Sequence, residues 1–192
     1  MGNLGFYFDS TKCVGCRACQ IACKDKFNLM DPGILIRTVY TYETGKYPES
    51  YVYSIATTCN HCEKPACVAT CPTGAMYKAD DGTVQHDDEK CIGCATCVHS
   101  CPYGVPKLLE SAGVTIKCDS CIAFRQNGKN PVCVDTCIMR ALDFGDLDEL
   151  RAKYGNDLVS SLPAWPDGGT APNTLIKPKA CTLKEPIRSV VL

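Results

Sequence analysis

Tryptophan occurs once, at Trp165, and aromatic residues of all kinds make up only 8% of the 192-residue chain. Aromatic side chains carry much of the core burial in ordinary domains, so something else must fill part of this interior. Long apolar runs are missing too. The nearest are Ile34–Ile36 and Val190–Leu192, far short of the roughly 20 residues a spanning helix needs, so no direct membrane span is expected. An excess of positive charge is lacking, the formal net charge being −1, and a nucleic-acid surface is normally a basic patch. The opening MGNLGFYFD has neither the basic stretch nor the apolar core of an export signal. Assembly in the cytoplasm, without a signal of its own, is therefore expected. No nucleophile–base pair, phosphate loop or open metal site stands out, so no substrate chemistry is assigned to this chain.

Cysteine is what the chain has in abundance. Sixteen of its seventeen cysteines fall into four quartets: Cys13/Cys16/Cys19/Cys23, Cys59/Cys62/Cys67/Cys71, Cys91/Cys94/Cys97/Cys101 and Cys118/Cys121/Cys133/Cys137. The first and third read CxxCxxCxxxC, the iron–sulfur run of bacterial ferredoxins. The second lengthens one gap by two residues, and the fourth opens it into an eleven-residue loop. Three closely spaced cysteines can curl around one cubane, whereas the fourth follows a longer step and serves the other cluster of a pair. Pro72 and Pro102 follow the last cysteine of the middle quartets, while Lys24 and Ile138 stand there in the outer two. This symmetry suggests nested pairing, second quartet with third and first with fourth. Sixteen thiolates are the ligand set of four [4Fe-4S] clusters.

Two other readings of dense cysteine fit less well. Disulfide scaffolds are short secreted chains, and this one has 192 residues. A zinc-binding structural module would place two CxxC pairs around a long loop and rarely adds a third cysteine at the same short step. Four clusters at about −2 each would bring the formal charge of −1 to about −9. Lys12, Lys90 and Lys117 precede three of the quartets, with Arg17, Lys24, Lys64 and Arg140 close by, and such cations can offset cluster charge. His61 and His99 lie inside quartets, where a loop histidine facing solvent or protein is the plainer expectation than a donor to cluster sulfur. His86 has no distinguishing context. Cys181, outside the quartets, reads as an ordinary thiol.

The expected fold class is α+β: two bicluster ferredoxin-like modules with short helices and β-hairpins, plus an extended C-terminal tail. Residues 1–57 with 104–155 form the first module, carrying quartets one and four and an inserted hairpin at 34–56. Residues 58–103 form the second, with quartets two and three. The β-branched and tyrosine-rich stretches 34–42 and 51–56 predict the inserted hairpin, and Asp80-Asp81-Gly82 predicts another between 76–78 and 83–85. Asp146 with Glu149 predicts a capped helix over LDELRAKY, ended by Gly155. Residues 156–192, punctuated by Pro163, Pro166, Pro172, Pro178 and Pro186, read as a tail with little core of its own, laid on a partner.

The segments GFYFDSTKCVGCRACQIACKD (5–25), CNHCEKPACVATCPTGAM (59–76), EKCIGCATCVHSCPYGVP (89–106), IKCDSC (116–121) and PVCVDTCIMRALDFGDLDELRAKYG (131–155), with APNTLIKP (171–178), resemble the four-cluster electron-transfer subunit of the dimethyl sulfoxide reductase family. The resemblance implies that Cys13, Cys16, Cys19 and Cys137 hold one cluster and Cys118, Cys121, Cys133 and Cys23 its neighbour. It likewise groups Cys59, Cys62 and Cys67 with Cys101, and Cys91, Cys94 and Cys97 with Cys71. It further implies a molybdopterin-containing catalytic partner near the first pair, a quinol-oxidising membrane anchor near the second, and possible co-export with the catalytic partner to the membrane surface. The middle motifs are shared with subunits of formate dehydrogenases, polysulfide and thiosulfate reductases and nitrate reductases, and an electron-transfer subunit of a formate dehydrogenase, hydrogenase or polysulfide/thiosulfate reductase complex is the alternative reading. Ile138 and the short 34–56 insertion depart from the family pattern.

Overall fold

The near-continuous apolar run Leu4–Asp9 forms β1, buried at every position after Leu4, as a strand covered on both faces must be. The structure, a computed structural model, describes residues 3–190. After β1 come α1 (Ala18–Lys26) and a hairpin of β2 (Thr38–Lys46) and β3 (Glu49–Thr57). The second quartet carries α2 (Ala66–Ala69), followed by the hairpin β4 (Met76–Lys78) and β5 (Val84–His86). The third carries α3 (Thr96–Ser100), followed by β6 (Lys107–Leu109) and β7 (Val114–Ile116). Then follow α4 (Ile122–Gln126), α5 (Val132–Asp135), β8 (Leu142–Asp146), α6 (Leu147–Tyr154), β9 (Thr174–Lys177) and β10 (Ile187–Val190). Short helices and small sheets make this the mixed α/β arrangement of a ferredoxin-like protein. The largest buried cluster runs from Phe6, Cys19 and Ile36 to Cys59, Val105 and Cys118.

The inserted hairpin begins later and turns more tightly than its residue pattern suggests. Its strands pair from Thr38 opposite Thr57 to Lys46 opposite Glu49, leaving Tyr47 and Pro48 as the turn. Gly45 lies inside β2 with φ 83°, and a Cβ there would meet the Glu49 carbonyl, so this glycine permits close strand approach. Ile34–Arg37 stay outside the strand because Ile36 and Arg37 turn into the interior. The 76–78 hairpin and α6 fall where the pattern puts them. Asp146 Oδ1 accepts from the N–H of Asp148 at 2.9 Å and of Glu149 at 3.3 Å, and Gly155 ends the helix at φ 93°. Asp146→Ala should therefore cost about 1 kcal/mol of stability. Equal melting midpoints for the two proteins would show that the cap is redundant.

The C-terminal segment corrects the expectation of an extended tail without a core. Its β9 runs parallel to β1, with Phe6 opposite Thr174 and Phe8 opposite Ile176, completing the sheet β8-β1-β9. Further on, β10 joins the hairpin as β10-β2-β3. Leu162, Leu175, Ile176 and Cys181 are all buried. The prolines punctuate this segment without keeping it out of the fold. Because TLIK finds its partner in β1, far away in sequence, no local amphipathic pattern announces it.

Candidate metal centre

Each quartet folds as a curled loop that runs into a helical turn. Positive φ recurs inside these loops, at Gly15 and Arg17, at His61, at Gly93 and Ala95, and at Ser120 and Cys121. Backbone turned this way forms concave nests of N–H groups suited to anions, iron–sulfur sites among them. The third cysteine of every quartet then sits in a helix: Cys19 in α1, Cys67 in α2, Cys97 in α3 and Cys133 in α5. The fourth follows four residues later, one turn further along the chain. Helix α1 packs on α5 and α2 on α3, so the first quartet lies against the fourth and the second against the third.

Three hollows lie among these elements. Cys13, Cys16, Cys19 and Cys137 line one of about 340 Å³, solvent mouth included. Cys59, Cys62, Cys67 and Cys101 line one of about 370 Å³, and Cys71, Cys91, Cys94 and Cys97 one of about 280 Å³. Cys23 lies with Cys118, Cys121 and Cys133 in the interior, each close enough to affect its ionisation. In every set three cysteines of one quartet meet the last cysteine of another. Among the described residues no three His, Cys, Asp or Glu side chains converge tightly enough to ligate a single ion.

The sets differ in depth. Cys16 and Cys94 are exposed, whereas Cys23, Cys118, Cys121 and Cys133 are all buried, as are Cys59, Cys62 and Cys67. Burial pushes the Cys59 thiol up to about 12, and those of Cys62 and Cys67 to about 11. It raises Cys121 to about 12 and carries Cys23, Cys118 and Cys133 above the ordinary thiol range. The shallow set behaves differently. The Thr96 hydroxyl and N–H lower the pKa of Cys94. At Cys71 burial is outweighed by the N–H groups of Met76 and Thr73 and by the Thr73 hydroxyl. Hydrogen bonds also reach other sulfurs: Thr170 Oγ1 lies 3.1 Å from Cys62 Sγ, and the N–H groups of Ser120 and Ala141 donate to Cys118 and Cys137 at 3.3 Å each.

Of the basic residues flagged by position, only Lys117 is buried. Lys12 and Lys90 stay exposed and pair with Asp9 and Asp87. Lys117 donates to the carbonyls of Val84 and Cys118, and lines the hollow of Cys59. Arg37, which no cysteine spacing marks, is 2% exposed. Its Nη1 donates to the Ala56 carbonyl at 3.2 Å, its guanidinium sits 4.9 Å from the Phe6 ring centre, and its Nη2 finds no hydrogen-bond partner among the described residues. The one available signal was an arginine in an otherwise apolar ILIR run. His61 is fully buried and accepts from the Val84 N–H at 3.0 Å. Burial first, then Lys117 and Arg125, holds its pKa well below the usual imidazole value. His99 is exposed, and His86 bonds Asp88 at 2.8 Å.

This donor set fits [4Fe-4S] clusters: hollows rather than points, nests of N–H groups, and a buried cation with an unfilled donor. Residues 50–147 match the family described as 4Fe-4S dicluster domain, and residues 10–30 a 4Fe-4S binding domain. The chain is 44% identical over 184 residues to the B subunit of the anaerobic dimethyl sulfoxide reductase of Escherichia coli K12, covering 92% of this chain and 89% of that one. The chain belongs to the dimethyl sulfoxide reductase family of iron–sulfur subunits. Within the same family it is 38% identical to the thiosulfate reductase electron transfer subunit PhsB of Salmonella typhi, over 73% of this chain and 74% of that relative. It is 32% identical to the arsenate respiratory reductase iron–sulfur subunit ArrB of Shewanella sp. ANA-3, over 88% and 94%. As a member of this family the chain carries multiple [4Fe-4S] clusters and is a non-catalytic subunit of a reductase complex. No helix among the described residues is long and apolar enough to cross a membrane.

Proposed function

We propose that this electron-transfer subunit holds four [4Fe-4S] clusters in a row and relays single electrons between a quinol-side membrane subunit and a molybdopterin-containing catalytic subunit. Cys13, Cys16, Cys19 and Cys137 would hold the first, and Cys118, Cys121, Cys133 and Cys23 the second. The third would lie on Cys59, Cys62, Cys67 and Cys101, and the fourth on Cys91, Cys94, Cys97 and Cys71. Bound clusters supply one-electron acceptance and donation; the chain supplies spacing, insulation and charge. The observation that carries the reading is the depth profile. Two sets reach the surface through Cys16 and Cys94, while the set of Cys118 and most of the Cys59 set are buried.

Exposed apolar side chains stand at both openings. Val14 and Met139 are exposed and line the hollow of Cys16, and Ile92 is exposed and lines the hollow of Cys94. Clustered exposed apolar residues favour partner docking. By resemblance, the Cys16 end would face the catalytic subunit and the Cys94 end the anchor, at the membrane surface. Residues 1–57 with 104–155 would serve as one bicluster module and 58–103 as the other. Electrons could then enter at one end, with the buried sets screened from water and stray acceptors.

Anaerobically purified protein should contain about sixteen iron atoms per chain and give magnetically coupled EPR signals on reduction. Stoichiometric zinc with little iron would sink the reading. Cys137→Ser should disturb the cluster of Cys13, and Cys101→Ser that of Cys59, each altering a different signal in a redox titration. If Cys137→Ser instead altered only the signal tied to Cys118 and Cys121, the crossed ligation would be wrong.

A further inference from the structure

Two buried cations stand where successive cysteine sets meet. The surroundings of Arg37 come from two sets: Cys19 belongs to the first, and Cys133, Cys118 and Cys23 to the second. Arg37 is 2% exposed and fixed by the Ala56 carbonyl at 3.2 Å, so these four sulfurs act on its charge with little water between. Cys133 is the strongest of them. No carboxylate pairs with it among the described residues. A buried cation without an anion is strongly disfavoured, so the position calls for negative sulfur on both sides. Lys117 occupies the next junction. Its ammonium bonds the carbonyl of Cys118, a member of the second set, at 2.8 Å, and it borders the hollow of the third set. Cys59 and Cys67 line the same hollow, so the ammonium stands beside groups of both sets. Among the described residues the fourth set has no buried cation beside it. Threonine hydroxyls and backbone N–H groups serve Cys94 and Cys71 instead.

We infer that Arg37 and Lys117 are junction cations: each sits between two consecutive clusters and raises the reduction potential of both, so that the interior of the row can hold an added electron despite its burial. The inference rests on the four-cluster reading. Reduction adds one negative charge to a site already near −2, and deep burial removes the water that would stabilise it. A fixed cation shared by two sites offsets that cost for either one, which levels the path between neighbours. Arg37 is suited to the task because its planar guanidinium keeps its charge at any working pH and carries several donors, of which Nη2 is left unfilled by the described residues. Both are positioning residues, acting through the clusters and not ligating them.

The test is an EPR-monitored redox titration of the iron-loaded full chain, with signals assigned through the cysteine variants. Arg37→Gln should shift the oxidised-to-reduced ratio of the first and second clusters at fixed potential by about tenfold toward oxidised, about 59 mV for a one-electron couple. The fourth cluster should stay within about twofold. Arg37→Lys, which keeps the charge, should hold both ratios within about threefold of the parent. Lys117→Gln should shift the third cluster while sparing the first. Iron-replete Arg37→Gln with unchanged ratios, or with all four clusters shifted alike, would overturn the inference. Should Arg37→Gln fail to load iron, Arg37→Lys decides. Full loading with near-parent ratios supports the charge role, and failure to load overturns it. Parent protein lacking iron would instead mark failure of the underlying cluster reading.

Discussion

A chain ended at Ser161 should lose both its fold and its iron. The truncation removes β9, and with it the parallel partner of β1, together with the buried side chains of Leu162, Leu175 and Ile176. At about 1.5–3 kcal/mol for each such side chain, the loss approaches the whole stability of a typical domain, about 5–15 kcal/mol. It also uncovers the metal centre. Thr170 no longer reaches Cys62, and Asn173 no longer donates to the His61 carbonyl at 3.0 Å. Iron analysis and circular dichroism of the truncated protein would check this. A soluble product with parent iron content and an unchanged melting midpoint would show that the segment is dispensable.

Stripping the iron should unfold much of the chain. The hollows of about 280 to 370 Å³ would be left with neutral thiols, and Arg37 would keep its charge with no anion beside it. Metal–ligand bonds contribute directly to the folding of small metal domains, and aromatic residues here reach only 8%. Anaerobic chelation followed by limited proteolysis and near-ultraviolet dichroism should report a collapse of protection along the quartets. A metal-free chain that melts cooperatively at the parent temperature would refute this. The pH dependence has a definite sign. Burial raises the Cys59 thiol to about 12, above an unfolded value near 8.5. Any metal-free fold therefore keeps that contribution below about pH 8.5 and loses it as pH climbs toward about 12. Reloading runs the other way, since ligation must release the thiol protons and is helped by higher pH.

Local rules carried the reading a long way wherever a structure is made by neighbours in sequence. The CxxC steps curl into loops because Gly15, Gly93 and their neighbours accept positive φ. Asp146 and Gly155 bracket α6 because a cap needs only the residues beside it. The hairpin of 76–78 follows from the Asp81-Gly82 turn. The inserted hairpin shifted because the burial of Ile36 and Arg37, a tertiary matter, took those residues out of the strand. His61 shows the same limit. Its burial beneath β5, with Val84 as partner, cannot be seen from its place inside a quartet.

The sequence by itself determined the chemistry. Sixteen thiolates at these spacings leave few metals and few architectures open, because a cubane fixes where its ligands must be. The sequence also determined the family, through motifs spread over most of the chain. Only the tertiary structure decided that β9 and β10 belong to the protein's own sheets, since strand pairing joins residues more than a hundred positions apart with no local sign. Only it placed Arg37 and Lys117 at buried junctions while Lys12, Lys64 and Lys90 stayed exposed. A cation's effect depends on distance and on the water around it, and neither quantity is written in the order of residues along a chain.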